Sequence, residues 1–536
     1  MMFRSHAQPG IASVRFTLIL VTLFAFGWRV QGLTAQSLWR DEVDAIYFAL
    51  RELPTTLAMF VQAGQNGPLY FLALRPWFYL VGASEYALRF PSAALGALAI
   101  PLLWQVARLL VAPRAGAEDA VEDAQHPLAQ AAVPLLATLL FAVNPYQLWY
   151  GQEGKMYTLV TALVLLATWF WLRGIQSGGW RPWLGYLATV SIAMYSHLLM
   201  IMLIPLHLAW YVIAWPQSRR HWRGYGLALA GLTLPYLPMI WWQWDLLMAA
   251  DRRTGFNFTP LAPMLRTLLF NHSRGFLPND DLLLLTPIFF LGLAGLLLGL
   301  GELATPSPDG KTLQLAPWRR FLLVLSWLTL PVAEIYALSL RQPIFTDRYV
   351  IWIAPAAMIL LALGAAVLHR NAGRIATPLV ALVVAYLCTF WLYVGWQQKT
   401  MPMKYDLRSA VSYVAERRSP ETLLILQIPH MEWSYRYYSS DFAADLFARS
   451  DAQMGHWAPG LWTNYGAPDD QARAEVDHQM RRITAGAREV WVFRSEVEMW
   501  DARHLMDAWL DQHGELVEQA HFHGAQVRRY VMVNGE

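Results

Sequence analysis

Apolar residues in this chain come in long runs. A helix needs about 20 residues to cross roughly 30 Å of hydrocarbon. Runs of that order lie at 14–33, 90–111, 128–148, 157–173, 183–198, 199–215, 223–244, 281–300, 320–340, 348–369 and 375–396. They predict about eleven transmembrane helices. One further run, 68–82, reaches only about 22 Å as a helix and carries Arg75-Pro76 in its middle. It reads as an interfacial helix in the first outer loop. After 397 the pattern changes. Apolar residues at helical spacing predict a helix over 406–418, and another is read at 501–512. Short apolar stretches at 423–428, 489–493 and 527–533 read as strands. Strands interleaved with helices suggest a small soluble α/β domain.

The loop charges fix the sidedness. With the N-terminus inside and 68–82 not crossing, the inner stretches hold Arg4 and Arg15, Arg108 and Arg114, Arg173 and Arg181, Arg219, Arg220 and Arg223, Lys311, Arg319 and Arg320, and Arg370 and Arg374. All are basic, as cytoplasmic loops should be. If 68–82 crossed, every later basic loop would move outside. The outer face therefore receives 34–89, 245–280 and the whole tail from 397.

Composition agrees. Of 536 residues 56% are hydrophobic and 15% charged, too apolar for a soluble chain of this length. Many of the 26 Trp lie near the ends of apolar runs, as an interfacial belt would place them. A net charge of +3 gives no sign of a nucleic-acid partner. The single cysteine, Cys388, rules out a disulfide framework or a Cys-rich metal site. Arg4 and Arg15 precede the first run without an obvious small-residue cleavage site, so that run reads as a retained span. There is no P-loop, nucleophile elbow, HExxH or paired CxxC motif.

Unusual polar residues gather at the outer face. Trp39-Arg40-Asp41-Glu42-Val43-Asp44 places three carboxylates just past the first span. Acids at a membrane face are candidate chemistry. Arg89 opens the second span from outside, Glu153 and Lys155 lie in the outer turn after 128–148, His197 sits at the outer end of the span 183–198, and Asp347-Arg348-Tyr349 opens the span 348–369 from outside. Bland readings compete with each. Juxtamembrane arginines anchor to headgroups, Glu153 and Lys155 can form a surface ion pair, His197 can be a hydrogen-bonded helix-end residue, and Asp44 can be solvated or a cap.

The ordered motifs resemble the membrane-embedded GT-C glycosyltransferases of the protein O-mannosyltransferase and aminoarabinose-transferase type. The resemblance runs through Leu38-Trp39-Arg40-Asp41-Glu42, Asn66-Gly67-Pro68-Leu69-Tyr70, Arg89-Phe90-Pro91-Ser92, Gln152-Glu153-Gly154-Lys155-Met156-Tyr157, Tyr195-Ser196-His197 and Asp347-Arg348-Tyr349. Two departures stand out: Gly67 replaces the first Pro of a Pro-Pro pair, and Lys155 stands where Arg is usual. The resemblance implies a transmembrane catalytic domain over 1–396 and an extracytoplasmic α/β domain over 397–536. It implies a multi-pass protein of the inner (plasma) membrane that moves a sugar from a polyprenyl-phosphate donor to a lipid, glycan or protein acceptor at the outer face.

On that reading Asp41 is the general base of an inverting displacement and Glu42 its helper. Arg348, Arg89 and Lys155 hold the donor phosphate. Glu153, His197, Tyr157 and Tyr349 contact substrate. No cofactor is required; Asp41, Glu42 and His197 make only a weak metal set, and a divalent metal stays open. Two rivals remain: an outer-face glycan polymerase or ligase, and a non-enzymatic lipid or solute transporter. Transporters place ionisable groups at the bilayer midplane, often in repeated halves. Here Glu334 is the main midspan exception and no repeat is visible.

Overall fold

The computed structural model describes residues 9–62, 67–111, 127–248, 257–277, 282–303, 313–371, 373–439, 454–464 and 468–533. Arg4, Asn66, Arg114 and Lys311 lie outside them. The chain divides into two compact units, one of residues 1–31, 57–70 and 89–398, the other of 32–56, 71–88 and 399–536.

The first unit is helical, and each apolar run read from the sequence is helix along most of its length. Among the described residues, six helices are long and apolar enough to cross a membrane alone: Ala12–Val30, Glu85–Leu110, Tyr157–Ser177, Pro317–Arg341, Asp347–Asn371 and Thr377–Thr400. Ala131–Val143 with Pro145–Gly151, bent by 57°, and Leu198–Ile213 with Trp215–Trp242, bent by 87°, raise that number to as many as eight. The sequence reads two spans where the second pair lies. Its break falls at Trp215-Pro216, shortly before Arg219 and Arg220. Two further runs give shorter helices, Trp180–Ser196 of 17 residues and Thr286–Leu298 of 13. The protein is an integral membrane protein with the polytopic helical architecture that the apolar runs predict.

Side chains sort the helix ends of this unit into two sets. Arg320 Nη1 donates to the Leu110 carbonyl, Arg319 to that of Ile213 and Arg370 to that of Gly301. Each carbonyl lies at a helix C-terminus, where cations satisfy orphan acceptors and the dipole. The basic residues of one predicted face thus close the helix ends of that same face. Arg29 does this job at the opposite ends. It is fully buried, and its Nη1 donates to the carbonyls of Ala25 and Ala142, the latter in the last turn of Pro127–Val143.

The second unit is built on a five-stranded sheet of β1 (Leu423–Leu426), β2 (Trp457–Pro459), β3 (Glu489–Ser495), β4 (Gly514–Phe522) and β5 (Ala525–Met532), in the order β2-β1-β3-β5-β4. β1 pairs in parallel with β2 and β3; β5 pairs antiparallel with β3 and β4. β1 is buried on both faces, as a continuous apolar run in a parallel sheet should be. Leu424 and Leu426 pack with the helix Leu407–Arg417 on one side. Leu423 and Ile425 pack with Asp469–Ile483 and Leu505–His513 on the other. The last of these helices starts later than the sequence reading, because Asp501 stays outside it and caps Leu505 N and Met506 N, each at 3.0 Å.

Residues 32–56 and 71–88, from the stretch that the sequence reads as the first outer loop, belong to this second unit. Arg40–Leu50 is a helix, and Val43, Ala45, Ile46, Ala49 and Leu50 are its buried face. Leu69–Val81 is a helix of 13 residues, about 20 Å and too short to cross. Arg75 turns its guanidinium onto the carbonyls of Ala49 and Arg51, at the end of Arg40–Leu50.

Candidate functional site

In the first unit the helix ends opposite the arginine-closed set carry a dense polar cluster. Asp347 opens the segment Asp347–Ile353, and its Oδ2 accepts from Tyr146 Oη at 3.0 Å and Asn271 Nδ2 at 2.8 Å. Thr346 Oγ1 donates to the other oxygen at 3.2 Å. With its carboxylate held on three sides, Asp347 fixes the backbone that presents Arg348 and Tyr349. The Arg348 guanidinium lies over the Tyr157 ring at 5.6 Å, a cation–π arrangement. His197 meets Tyr349 edge-on at 5.0 Å and Tyr157 at 6.2 Å. Four residues singled out from separate sequence motifs therefore converge: Tyr157, His197, Arg348 and Tyr349.

Glu153 is buried in the turn after the helix Pro145–Gly151. Asn144 caps that helix by accepting from Gln147 N at 3.1 Å, and its amide donates to the His272 carbonyl at 2.8 Å. Two residues past Glu153, Lys155 has its carbonyl held by Ser92 Oγ at 3.1 Å. Ser92 lies one helical turn after buried Arg89, so Arg89 and Lys155 belong to the same neighbourhood. Gly67 is explained by close approach: a Cβ there would sit 1.9 Å from the Tyr195 carbonyl oxygen. The departure from the Pro-Pro pattern thus brings the 67–70 segment against the turn that carries His197.

The sequence reading missed part of this cluster. Tyr146 packs edge-on against Tyr150 at 5.0 Å and His272 at 4.5 Å, and Tyr150 against Tyr157 at 5.1 Å. Asn271 and His272 come from Leu261–Arg274 in the 245–280 loop. Burial holds His272 near a pKa of about 4, and Asp347 opposes that shift. The available signal was polar-aromatic runs at predicted outer helix ends, Asn144-Pro-Tyr146 and Asn271-His272. Their convergence is tertiary.

Asp41 and Glu42 belong to the second unit, in the first turn of Arg40–Leu50 where the helix dipole favours carboxylates. Their environments differ. Glu42 is fully buried, pairs with Lys404 Nζ at 3.1 Å and accepts from Trp39 N at 3.4 Å. Asp41 is partly exposed and lies 3.8 Å from Arg40 Nη2. Arg40 in turn donates to Glu496 at 3.0 Å. Among the described residues, no group of three or more His, Cys, Asp or Glu side chains is arranged to hold a metal ion.

Residues 125–244 match the family model of dolichyl-phosphate-mannose-protein mannosyltransferases. Solved structures share the fold. The ArnT of Cupriavidus metallidurans bound to undecaprenyl phosphate is 12% identical, with 97% of this chain and 98% of that chain covered and a TM-score of 0.55. The oligosaccharyltransferase AglB of Archaeoglobus fulgidus, in complex with an inhibitory peptide and a dolichol-phosphate, is 12% identical over 94% of this chain and 72% of that one, with a TM-score of 0.55. No curated protein matches the chain. The chain has the fold of these glycosyltransferases, and the family model that matches 125–244 agrees with the resemblance read from the sequence.

Proposed function

We propose that this protein is a glycosyltransferase that moves a sugar from a polyprenyl-phosphate donor to an acceptor at the outer face of the inner membrane, with the N-terminus cytoplasmic and 397–536 extracytoplasmic. The observation that carries the reading is the Arg348 cluster: a guanidinium over Tyr157, on a backbone fixed by Asp347, at the helix ends of a GT-C fold. A lipid phosphate leaving group needs its growing charge neutralised, and a preorganised guanidinium with Arg89 and Lys155 nearby supplies that. His197, Tyr349, Tyr157 and Glu153 offer the donor sugar aromatic faces and hydrogen-bonding groups.

In the reaction the acceptor hydroxyl or amine attacks the anomeric carbon. The bond from that carbon to the phosphate oxygen breaks, the lipid phosphate departs, and Asp41 takes the acceptor proton. One displacement inverts the anomeric centre. Asp41 suits the base role better than Glu42, whose carboxylate is committed to Lys404.

The test is binding of undecaprenyl phosphate to protein in nanodiscs. A charge-assisted contact is worth roughly 1.5–3 kcal/mol, so Arg348→Ala should bind about ten- to a hundredfold more weakly. Arg348→Lys should recover only part, because the planar fork is lost. Unchanged affinity in Arg348→Ala would return Arg348 to headgroup anchoring.

A further inference from the structure

The second unit carries a feature that the donor chemistry does not use. In the order β2-β1-β3, the chain leaves β1 towards β2, whereas it leaves β3 towards β5 and β4. The carboxyl ends of β1 and β3 therefore flank a topological switch point, the place where open α/β sheets bind ligands. His430 follows β1 there and Glu496 follows β3. Glu496 holds a left-handed backbone, φ 51°, unusual for a non-glycine residue. Its carboxylate receives Arg40.

An aromatic shelf borders these groups. His430 meets Trp500 edge-on at 5.1 Å, and Trp462 stacks on Trp500 at 5.6 Å with 30° between the planes. Trp462 remains 56% exposed, although it is one of the largest apolar side chains of the unit. Its loop is firmly tied. Thr463 N donates to the Trp500 carbonyl at 2.9 Å, Thr463 Oγ1 donates to Asp501, Asn464 Nδ2 donates to the Glu498 carbonyl at 2.8 Å, and Ala502 N donates to Asn464 Oδ1 at 2.6 Å. The Trp500 indole N–H is buried with no partner among the described residues. A half-exposed indole stacked on Trp500, which meets His430 close to the Arg40 charge, suits a ligand with one apolar face and a rim of hydroxyls. That is the chemistry of a pyranose ring.

We propose that Trp462, Trp500, His430, Arg40 and Glu496 form a saccharide subsite for the acceptor. The acceptor is then a glycan or a glycolipid headgroup, one ring of which stacks on Trp462. The proposal rests on the transferase reading for its functional meaning, because Asp41 adjoins Arg40 and is the base in that reading. The binding itself is independent of it.

The experiment uses the full chain in nanodiscs with the disaccharide chitobiose, read by saturation-transfer NMR. Wild type should transfer saturation to the sugar ring protons. Trp462→Ala should weaken binding about tenfold and Trp462→Phe should restore part of it. Undecaprenyl phosphate binding, measured on the same samples, should not change in Trp462→Ala. No saturation transfer in wild type, or equal transfer in Trp462→Ala, overturns the subsite. Sugar binding without lipid-phosphate binding in wild type would leave the subsite standing and overturn the transferase reading instead.

Discussion

Neutralising Glu42 should damage the protein through stability before it touches chemistry. Glu42 is fully buried, and Lys404, with a side chain 7% exposed, holds it at 3.1 Å. Glu42→Gln takes the carboxylate away from a largely buried ammonium. Breaking a buried pair from one side costs about 3–5 kcal/mol, because the remaining charge loses its compensation. The contact to Trp39 N, at 3.4 Å, adds little. Lys404→Met should cost a similar amount from the other side. Replacing both, Glu42→Gln with Lys404→Met, removes the stranded charge and should recover most of the loss, giving a coupling above roughly 3 kcal/mol in a double-mutant cycle. Thermal unfolding in detergent reads the order of the four proteins. Activity then separates the roles: the double variant should keep transfer and Asp41→Asn should not. If Glu42→Gln unfolds like wild type yet loses turnover, the carboxylate is chemical and the structural account is wrong.

Three further outcomes are expected. Asp41→Asn should lower turnover by about 10²–10⁴-fold with an unchanged elution profile, the usual loss of a general base, and near-normal turnover would remove Asp41 from that role. A Cβ at Gly96 or Gly151 would come within 3.0 or 3.1 Å of the Arg29 side chain, so Gly96→Ala with Gly151→Ala should destabilise by roughly 1–3 kcal/mol, and Arg29→Met should relieve the crowding while opening the end of Pro127–Val143. His272, depressed from 6.5 to about 4, binds fewer protons in the folded than in the unfolded chain between those values, so the stability it contributes is present above pH 6.5 and is lost as pH falls towards 4. Nitrogen spectra of histidine-labelled protein, assigned with His272→Asn, should show it neutral at pH 5.5; a protonated ring there would contradict the burial.

The membrane half was legible because its signal is local. Length and hydropathy define a span, and a run such as 348–369 needs no partner to announce itself. Strands β1 and β3 were legible for the same reason, being short apolar runs buried on both faces. β4 was not: as an edge strand it is mostly exposed and shows no apolar alternation. The helix Arg40–Leu50 was hidden by the acidic motif at its start, whose charges dominate a reading that looks for chemistry. In the site, Arg348, Tyr157, His197 and Tyr349 could be named from motifs. Tyr146, Asn271 and His272 could not, because what distinguishes them is a hydrogen bond or ring contact to residues far along the chain, 76 positions away for Asn271 and 201 for Tyr146. The Lys404 partner of Glu42 was equally invisible, being 362 positions away.

That last separation governs how the protein is made. The segment bearing Asp41 leaves the ribosome among the earliest parts of the chain, whereas Lys404 and the sheet are synthesised among the last. At about 5–20 residues per second the interval is roughly 20–70 s. Throughout it the acidic helix is without the cation that neutralises Glu42 and the strand end that supplies Glu496 to Arg40. A nascent chain therefore carries Asp41 long before the groups that hold its neighbours Arg40 and Glu42 are made. Synthesis of the stretch from Lys404 to Glu496 becomes the step that completes the ion pairs of the acidic helix.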